Sequence, residues 1–352
     1  NPPENCTPVD AKWIFKKKLG PDGSILSHKA RLVAKGFVQR PGIDYDDTYA
    51  PVVRFESVRT LFSLVAQHGL QMHQMDVTVA FLNGDLKKKI YLKQPEGFIT
   101  SGKEDHVLRL KKSLYGLKQS PRCWNQSIDS FLKQLGFSQS NHDACIYVRY
   151  STEDSNDICI IAVYVDDLII ACKSLNVIND IKSSLSKRYS MKDLGKLNYF
   201  LGVNVEQKNG NIFISQYTYV KSLLEKLQFD NAKPIKTPME SNIKLDKLGE
   251  NSEPFDKTLY QSVVGSLLFL STRTRADITY AVSKVARFSS NPTQAHWCAV
   301  KRILRYLKGT VDLGILYCSE GEQQCVGYSD SDWAGDQNDR KSTSGYNFLT
   351  ST

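Results

Sequence analysis

The stretch ICIIAVYVDDLIIAC, residues 158–172, places two adjacent carboxylates, Asp166 and Asp167, between two apolar runs rich in β-branched residues. Such runs are typical of strands buried in a sheet. Burying a carboxylate is unfavourable unless a cation or hydrogen bonds compensate it. The stretch therefore predicts a β-hairpin whose acidic bend meets a positively charged ligand. The alternative is a solvent-facing turn, because Asp is a favoured turn residue.

The composition is that of a globular protein with a basic surface. The 352 residues are 41% hydrophobic and 10% aromatic, which suits about two or three domains with buried cores. The formal net charge of +9 favours a polyanionic partner, with nucleic acid ahead of a membrane surface, although a basic surface can also serve solubility alone. The eight cysteines lack CxxC or Cys/His ligand spacing, which argues against zinc and a disulfide framework and suits a reducing compartment.

The ends and the hydropathy of the chain carry two further expectations. No apolar run reaches the ~18 residues of a membrane span, and no signal peptide is visible. The chain starts with Asn1 rather than Met, and we interpret it as a piece of a longer protein.

The pattern along the chain predicts strands alternating with helices up to about residue 215 and mostly helices after it. A first hairpin is expected around Pro21-Asp22-Gly23, and a second around Asn209-Gly210. Between them, a helix is expected to be capped by Ser120, with Pro121 at its first position. These elements indicate an α+β or α/β layer followed by helices.

A third acidic residue lies in another strand-like segment. Asp76 belongs to HQMDVTVAF, and if that strand lies beside the hairpin of residues 158–172, three carboxylates converge. Oxygen ligands of this kind suit Mg²⁺ or Mn²⁺. Two such ions can activate a 3′-hydroxyl and bridge a transferring phosphoryl group. Carboxylates in a basic chain therefore suggest nucleotidyl transfer.

The first predicted hairpin carries cations at alternating positions. Lys29, Arg31 and Lys35 are two and four residues apart, so they fall on one face of a strand. One face of positive charge is suited to a triphosphate. The alternative is a solvated edge strand that lysines protect from aggregation.

Six segments of the chain carry a family resemblance. They are KARLVAKGFVQRPGIDYDDTYAPVVR, MDVTVAFLNGDL, LYGLKQSPRCW, YVDDLII, LGKLNYFLGV and YSDSDWAGDQNDRKSTSGY. In this order, the first five resemble the reverse transcriptase domain of copia-type LTR retrotransposon Pol polyproteins, and the last resembles the start of the ribonuclease H domain that follows it. Together they cover nearly the whole chain. The ordered set is far more specific than YVDD alone.

The resemblance implies an RNA-directed and DNA-directed DNA polymerase that extends a primer on a template with dNTPs and two Mg²⁺ ions, Mn²⁺ being an alternative. It implies an α+β right-hand fold of fingers, palm and thumb, followed by a mostly helical connection and a truncated ribonuclease H-like α/β segment. The implied ranges are 11–215 for fingers and palm, 216–254 for thumb and linker, 255–318 for the connection, and 319–352 for the ribonuclease H fragment. The implied location is a cytoplasmic virus-like particle or the nucleus, neither secreted nor in a membrane.

Carried over residue by residue, the resemblance makes Asp76, Asp166 and Asp167 the catalytic, metal-binding carboxylates, with the Val77 carbonyl as a further ligand. Phe81 matches the bulky residue that excludes a 2′-hydroxyl. The implied dNTP contacts also include Lys29, Arg31, Lys35, Tyr115, Gly116 and Lys118. The implied primer or template contacts are Ser120, Pro121, Tyr164, Phe200, Leu201 and Gly202.

Several of these roles have plainer alternatives. Tyr115 and Gly116 would also suit a turn before a helix, and Phe200 and Leu201 would suit a core. Asp330 matches the first metal-binding aspartate of ribonuclease H, but that site needs further acidic ligands, so this fragment is not expected to cleave RNA. Two rival functions stay open: a catalytically silent nucleic-acid-binding transposon remnant, and a metal-dependent phosphatase or nuclease.

Overall fold

The structure is a computed structural model that describes residues 3, 7–19, 25–150, 158–240, 243, 245, 253–320, 324–336 and 339–349. The chain divides into two compact units. The first comprises Asn1–Val58 and Gln71–Lys196, and the second comprises Arg59–Leu70 and Leu197–Thr352.

Among the described residues, the first unit holds ten strands, two complete helices and the first turn of a third. The strands are β1 Ala11–Leu19, β2 Ile25–Ala34, β3 Gln71–Val77, β4 Tyr91–Lys93, β5 Val107–Arg109, β6 Ser138–Gln139, β7 Ile146–Tyr150, β8 Ile158–Tyr164, β9 Asp167–Cys172 and β10 Met191–Lys196. The helices are α1 Phe55–His68, whose later part belongs to the second unit, α2 Ser120–Gln134 and α3 Leu175–Arg188. Short 3₁₀ helices span Gly36–Val38 and Ala80–Asn83.

A six-stranded antiparallel sheet in the order β10-β3-β9-β8-β7-β6 is the centre of the first unit. On one face, alternate residues such as Met75 and Leu168 form a core with Ile128 of α2 and Ile178 of α3. Residues of the other face, such as Ile169, are also fully buried. The apolar arms of the opening stretch are therefore buried on both faces, and each Leu or Ile contributes about 1.5–3 kcal/mol relative to an exposed side chain.

The expected first hairpin is present as β1 paired with β2. Its predicted turn, Pro21-Asp22-Gly23, lies outside the described residues. The base of the hairpin packs through Ala34 into a small core with Ile90, Leu92 and Leu117. The hairpin is thus anchored at the end where β2 finishes.

The second unit contains a four-stranded sheet, a strand pair and a helical core. Its strands are β11 Tyr199–Phe200, β12 Val203–Lys208, β13 Asn211–Ser215, β14 Gly314–Tyr317, β15 Val326–Ser331 and β16 Ser344–Leu349. Its helices are α4 Tyr217–Lys226, α5 Lys257–Arg273, α6 Thr279–Ala286 and α7 Gln294–Gly309, with a 3₁₀ turn at Ala276–Ile278. The predicted Asn209-Gly210 turn is confirmed, because both residues have positive φ, 52° and 79°, and Lys208 pairs with Asn211.

Three local expectations are corrected by the structure. Ser120 is the first residue of α2 rather than its cap, and its hydroxyl donates to the Leu114 carbonyl at 2.6 Å. The strand-like segment HQMDVTVAF is a strand only as far as Val77, and Ala80–Asn83 forms a 3₁₀ helix. Cys159 and Cys172 form a disulfide with Cα atoms 4.5 Å apart, because the β8–β9 register places them directly opposite each other. Among the described residues, no helix has the length and hydropathy needed to cross a membrane.

Candidate active site

A two-residue turn joins the buried strands β8 and β9. Tyr164 is the register partner of Asp167, so Val165 and Asp166 alone form the bend. Val165 has φ of 52°, a left-handed conformation that is a genuine outlier for a β-branched residue. Backbone strain of this kind persists only where the surroundings hold it, and it clusters at functional sites.

Two hydrogen bonds hold this turn in place. The indole Nε1 of Trp124 donates to the Val165 carbonyl at 2.7 Å. The backbone N–H of Val77 donates to the Asp166 carbonyl at 2.8 Å. The turn is therefore fixed both to helix α2 and to the strand that carries Asp76.

The strand register assembles the acidic residues on one face of the sheet. Asp76 lies directly opposite Asp167 on β9 and directly opposite Lys192 on β10. Tyr164 on β8 is the next residue in the same row. Directly opposed residues of antiparallel strands project to the same face with Cβ atoms about 4.5–5.5 Å apart. The expected convergence of the Asp76 strand with the acidic hairpin is thus present, and Lys192, which the pattern of residues did not single out, adds a cation to the row.

The two adjacent aspartates differ in their surroundings. Burial, and then the charges of Asp76 and Asp167, raise the pKa of Asp166 to about 6, while Arg31 opposes the shift. One carboxylate oxygen of Asp166, Oδ1, is buried and has no hydrogen-bond partner among the described residues. An unpartnered buried oxygen of this kind is costly unless a ligand meets it.

Asp167 is instead held by an amide. Gln74, two residues before Asp76 on the same face of β3, donates from Nε2 to Asp167 Oδ1 at 3.0 Å. Burial raises the pKa of Asp167, the Gln74 hydrogen bond opposes that shift, and the charge of Asp76 adds to it. The pattern of residues did not identify Gln74, although an amide in an apolar strand two residues from an acid is a usable signal.

Three of the residues with implied nucleotide contacts lie together near the carboxylates. Phe81 packs edge-on against Tyr115, with ring centroids 4.9 Å apart. The Arg31 guanidinium carbon lies 5.7 Å from the centre of the Tyr115 ring. Burial and the charge of Asp166 raise the pKa of Tyr115, whereas Arg31 lowers it. An aromatic pair, Phe81 and Tyr115, and the Arg31 cation thus lie beside the carboxylate row formed by Asp76, Asp166 and Asp167.

Gly116 is required by a close backbone approach. Its φ is +90°, and a Cβ built on it would lie 2.1 Å from the Ala34 carbonyl oxygen. The Ala34 N–H donates to the Tyr115 carbonyl at 2.8 Å. Tyr115 and Gly116 therefore connect the end of β2 to the loop before α2. Their role is not limited to forming a turn before the helix.

The three lysines with implied dNTP contacts have different surroundings. Lys29 lies exposed on β2, opposite Lys16. Lys35 follows the end of β2 and pairs with Asp10 at 3.9 Å, so it does not continue the strand face of Arg31. Lys118 donates to the Gln39 carbonyl at 3.2 Å and to the Tyr45 hydroxyl at 3.3 Å.

The residues with implied primer or template contacts lie in both units. Ser120 and Pro121 begin α2 in the first unit. Leu201 and Gly202 form a positive-φ turn between β11 and β12 in the second unit. Phe200, beside that turn, is only 1% exposed, which fits the core alternative.

The acids near the end of the described chain do not form a cluster around Asp330. Asp330 is exposed on β15. Asp336 is 6% exposed and forms ion pairs with Arg287 and with Lys284, the latter at 3.7 Å. Asp332 accepts a hydrogen bond from the Thr343 N–H at 2.8 Å. Within the described ranges, no three His, Cys, Asp or Glu side chains are arranged as a preformed metal site.

Comparisons with known proteins identify relatives of the chain. Residues 1–241 match the family described as reverse transcriptase (RNA-dependent DNA polymerase). The chain is 43% identical, over 99% of its length, to the retrovirus-related Pol polyprotein from transposon TNT 1-94 of Nicotiana tabacum, of which it spans 27%. It is 40% identical, over 98% of its length, to the Pol polyprotein from transposon RE1 of Arabidopsis thaliana, of which it spans 23%. A transposon Ty5-1 protein of Saccharomyces cerevisiae is 39% identical over 77% of the chain, which covers 87% of that protein.

Proposed function

The chain belongs to the reverse transcriptase (RNA-dependent DNA polymerase) family, and on that premise we propose that it extends a primer 3′-hydroxyl with dNTPs on an RNA or DNA template. The strand register supports the proposal most directly, because Asp76 lies opposite Asp167 and Asp166 occupies the adjoining turn. The chain spans about a quarter of the length of the plant polyproteins, 27% and 23%. The activity is therefore a proposal for this chain.

The residues fit a pair of Mg²⁺ ions. Asp76, Asp166, Asp167 and the Val77 carbonyl would hold them, and Mn²⁺ suits the same oxygen ligands. The buried, unpartnered Oδ1 of Asp166 supports this assignment. Mg²⁺ usually binds one or two carboxylates and completes its shell with water and substrate phosphates, so a preformed protein cage is not required. When bound, the ions would lower the pKa of the primer hydroxyl and neutralise phosphate charge.

The protein side chains position the reactants. Arg31 faces the carboxylate row from β2 and is suited to bind the triphosphate. Phe81, braced by Tyr115, is suited to pack against the sugar and to exclude a 2′-hydroxyl. In the reaction, the primer 3′-oxygen forms a bond to the α-phosphate, and the bond from that phosphate to the leaving pyrophosphate breaks.

The same proposal assigns the parts of a right-hand polymerase. Fingers and palm comprise 11–215, with the β1–β2 hairpin as fingers and the six-stranded sheet as palm. The ranges 216–254, 255–318 and 319–352 are proposed as thumb and linker, connection, and the start of a ribonuclease H domain. The antiparallel palm sheet and the helices α5 to α7 support this division.

Primer extension tests the proposal. The purified chain is incubated with an oligo(dT) primer on an RNA template, dNTPs and Mg²⁺, and the products are separated on a denaturing gel. We expect extended primers from the wild-type chain and none from Asp166→Asn. Absence of extension by a folded wild-type chain would support the silent nucleic-acid-binding remnant instead. Cut strands or released phosphate without extension would support a nuclease or phosphatase.

A further inference from the structure

A basic groove lies in the first unit, outside the carboxylate row. Two segments line a cavity of about 540 Å³: Leu86 to Lys89, which precedes β4, and Arg109 to Lys111, which begins at the end of β5. The cationic lining residues are Lys87, Lys88, Lys89, Arg109 and Lys111. Five of seven lining residues are therefore cations, and the other two are leucines. We call this the basic groove.

The charge of the basic groove is largely uncompensated. Lys88 pairs with Asp46 at 2.9 Å. The other four cations are exposed and form no ion pair with any acid among the described residues. Like charges held close together repel one another, so this arrangement does not stabilise the fold. It is suited to a polyanion that supplies the missing negative charge.

A neighbouring cavity provides an internal comparison. It has a volume of about 140 Å³ and shares Lys87 and Lys88 with the basic groove. Its lining acids are used internally, because Asp46 pairs with Lys88 at 2.9 Å and Asp47 pairs with Arg122 at 3.1 Å. The neighbouring cavity thus contains acids that pair with its cations, whereas no acid among the described residues lines the basic groove.

Backbone hydrogen bonds fix the ends of the two segments. Tyr91 on β4 is the register partner of Arg109 on β5. The Leu110 N–H donates to the carbonyl of Ile90, a residue that is 2% exposed. The Ser113 N–H donates to the Gly84 carbonyl at 2.9 Å. The loop that carries Lys87 to Lys89 is thus anchored at both ends, which reduces the entropic cost of ordering its backbone when a ligand binds.

We propose that the basic groove binds the phosphodiester backbone of nucleic acid at a place separate from the carboxylate site. The inference rests on the proposed function for the identity of the polyanion. A membrane surface is less suited, because the lining offers only Leu86 and Leu110, both half-buried, as apolar groups. Single strands and duplexes share the phosphodiester chemistry, and the experiment separates them.

The test measures binding without catalysis. Fluorescence anisotropy follows a labelled single-stranded RNA, a blunt duplex and a primer–template in EDTA, without dNTPs, over a range of salt concentrations. The variant is Lys87→Glu with Lys111→Glu. Its matched control is Lys173→Glu with Lys187→Glu, which reverses two exposed charges in the same unit that do not line the basic groove. Thermal melting establishes that both variants are folded, and Lys87→Gln with Lys111→Gln repeats the test with a milder change.

We expect the groove variant to bind at least one of the nucleic acids roughly tenfold more weakly. The slope of log Kd against log salt concentration should also be shallower, by about 0.9 for each duplex phosphate, or about 0.7 for each single-strand phosphate, that the variant no longer neutralises. The control is expected to change affinity by less than about threefold. The probe whose affinity falls identifies the strand that occupies the basic groove. Equal weakening by variant and control, or no weakening of any probe, would overturn the inference.

The two proposals fail in different ways. If the wild-type chain binds nucleic acid through the basic groove but does not extend a primer, the proposed polymerase function fails and the groove inference stands. If it extends primers while the groove variant binds every probe as the wild type does, the groove inference alone fails. Asp166→Asn is expected to keep groove binding in EDTA, since its charge change lies outside the groove.

Discussion

Gln74 Nε2 donates a hydrogen bond to Asp167 Oδ1 at 3.0 Å, whereas Asp166 Oδ1, on the adjacent residue, is buried without a partner. Two neighbouring carboxylates in one hairpin are therefore in different situations. Asp167 is oriented by an amide that itself is only 7% exposed, and Asp166 keeps an oxygen free for a ligand. Asp167 is thus held in one orientation, while Asp166 has an oxygen that can bind a ligand.

Replacing Gln74 by Leu is expected to slow primer extension roughly ten- to a hundredfold. The hydrogen bond favours the ionised form of Asp167, and losing one such bond to a charged group costs about 1.5–3 kcal/mol. The pKa of Asp167 should rise, so the acidic limb of the pH–rate profile should move to higher pH. Extension rates measured from about pH 5.5 to 8.5 test this, with Gln71→Leu, an exposed position on the same strand, as the control. An unchanged profile in Gln74→Leu would contradict the positioning role.

Asp166→Asn is expected to lower extension by roughly 10³-fold or more while raising the melting temperature in EDTA at pH 7 to 8. The folded-state pKa of Asp166, about 6, lies above its ordinary 3.8. The group therefore favours folding fully below pH 3.8, and that contribution is lost as the pH rises through about 6. The gain in melting temperature should shrink as the pH falls toward 4. A variant that is less stable than the wild type at pH 8 would refute this account.

Gly116→Ala is expected to destabilise the first unit more than Gly102→Ala. Both glycines have positive φ, +90° and +74°, so both substitutions carry the cost of a left-handed conformation, about 1–2 kcal/mol. Only at Gly116 would the new Cβ meet backbone, 2.1 Å from the Ala34 carbonyl oxygen. Urea unfolding compares the two variants. If Gly116→Ala folds, we also expect a raised KM for dNTPs, because the loop carrying Tyr115 must move.

The buried Lys182 makes stability depend on pH through His73. Lys182 Nζ lies 2.8 Å from His73 Nδ1 and 2.7 Å from Asp193 Oδ1. Burial and the charge of Lys182 hold the pKa of His73 below its ordinary 6.5. His73 therefore contributes stability that is present above pH 6.5 and is lost as the pH falls through its lowered folded-state pKa.

His73→Gln is accordingly expected to lose less stability between pH 7 and pH 5 than the wild type does. Denaturant unfolding at several pH values measures this difference. His106→Gln, at an exposed position in the same unit, serves as the control and should follow the wild-type pH dependence. A His73→Gln variant with the same pH dependence as the wild type would show that this histidine is not responsible.

Much of the site could be predicted because its signals are local. The apolar arms of residues 158–172 predict buried strands, and the two acids between them predict a bend. The structure places Asp166 in that bend with Val165, and Asp167 at the start of β9. The Asn209-Gly210 pair has the backbone freedom that a tight hairpin requires, and the structure confirms it. The ordered segments also identified the family, which the comparisons confirm.

The tertiary structure alone decided the contacts between residues far apart in the chain. Strand register places Asp76 between Asp167 and Lys192, and a shift of one residue would turn these side chains to the opposite face. A different register, that of the β8–β9 hairpin, joins Cys159 to Cys172, against the expectation from cysteine spacing. By itself, therefore, the sequence determined the elements and the acidic bend, whereas pairing between distant strands decided which side chains meet there, because local patterns carry no information on register between strands.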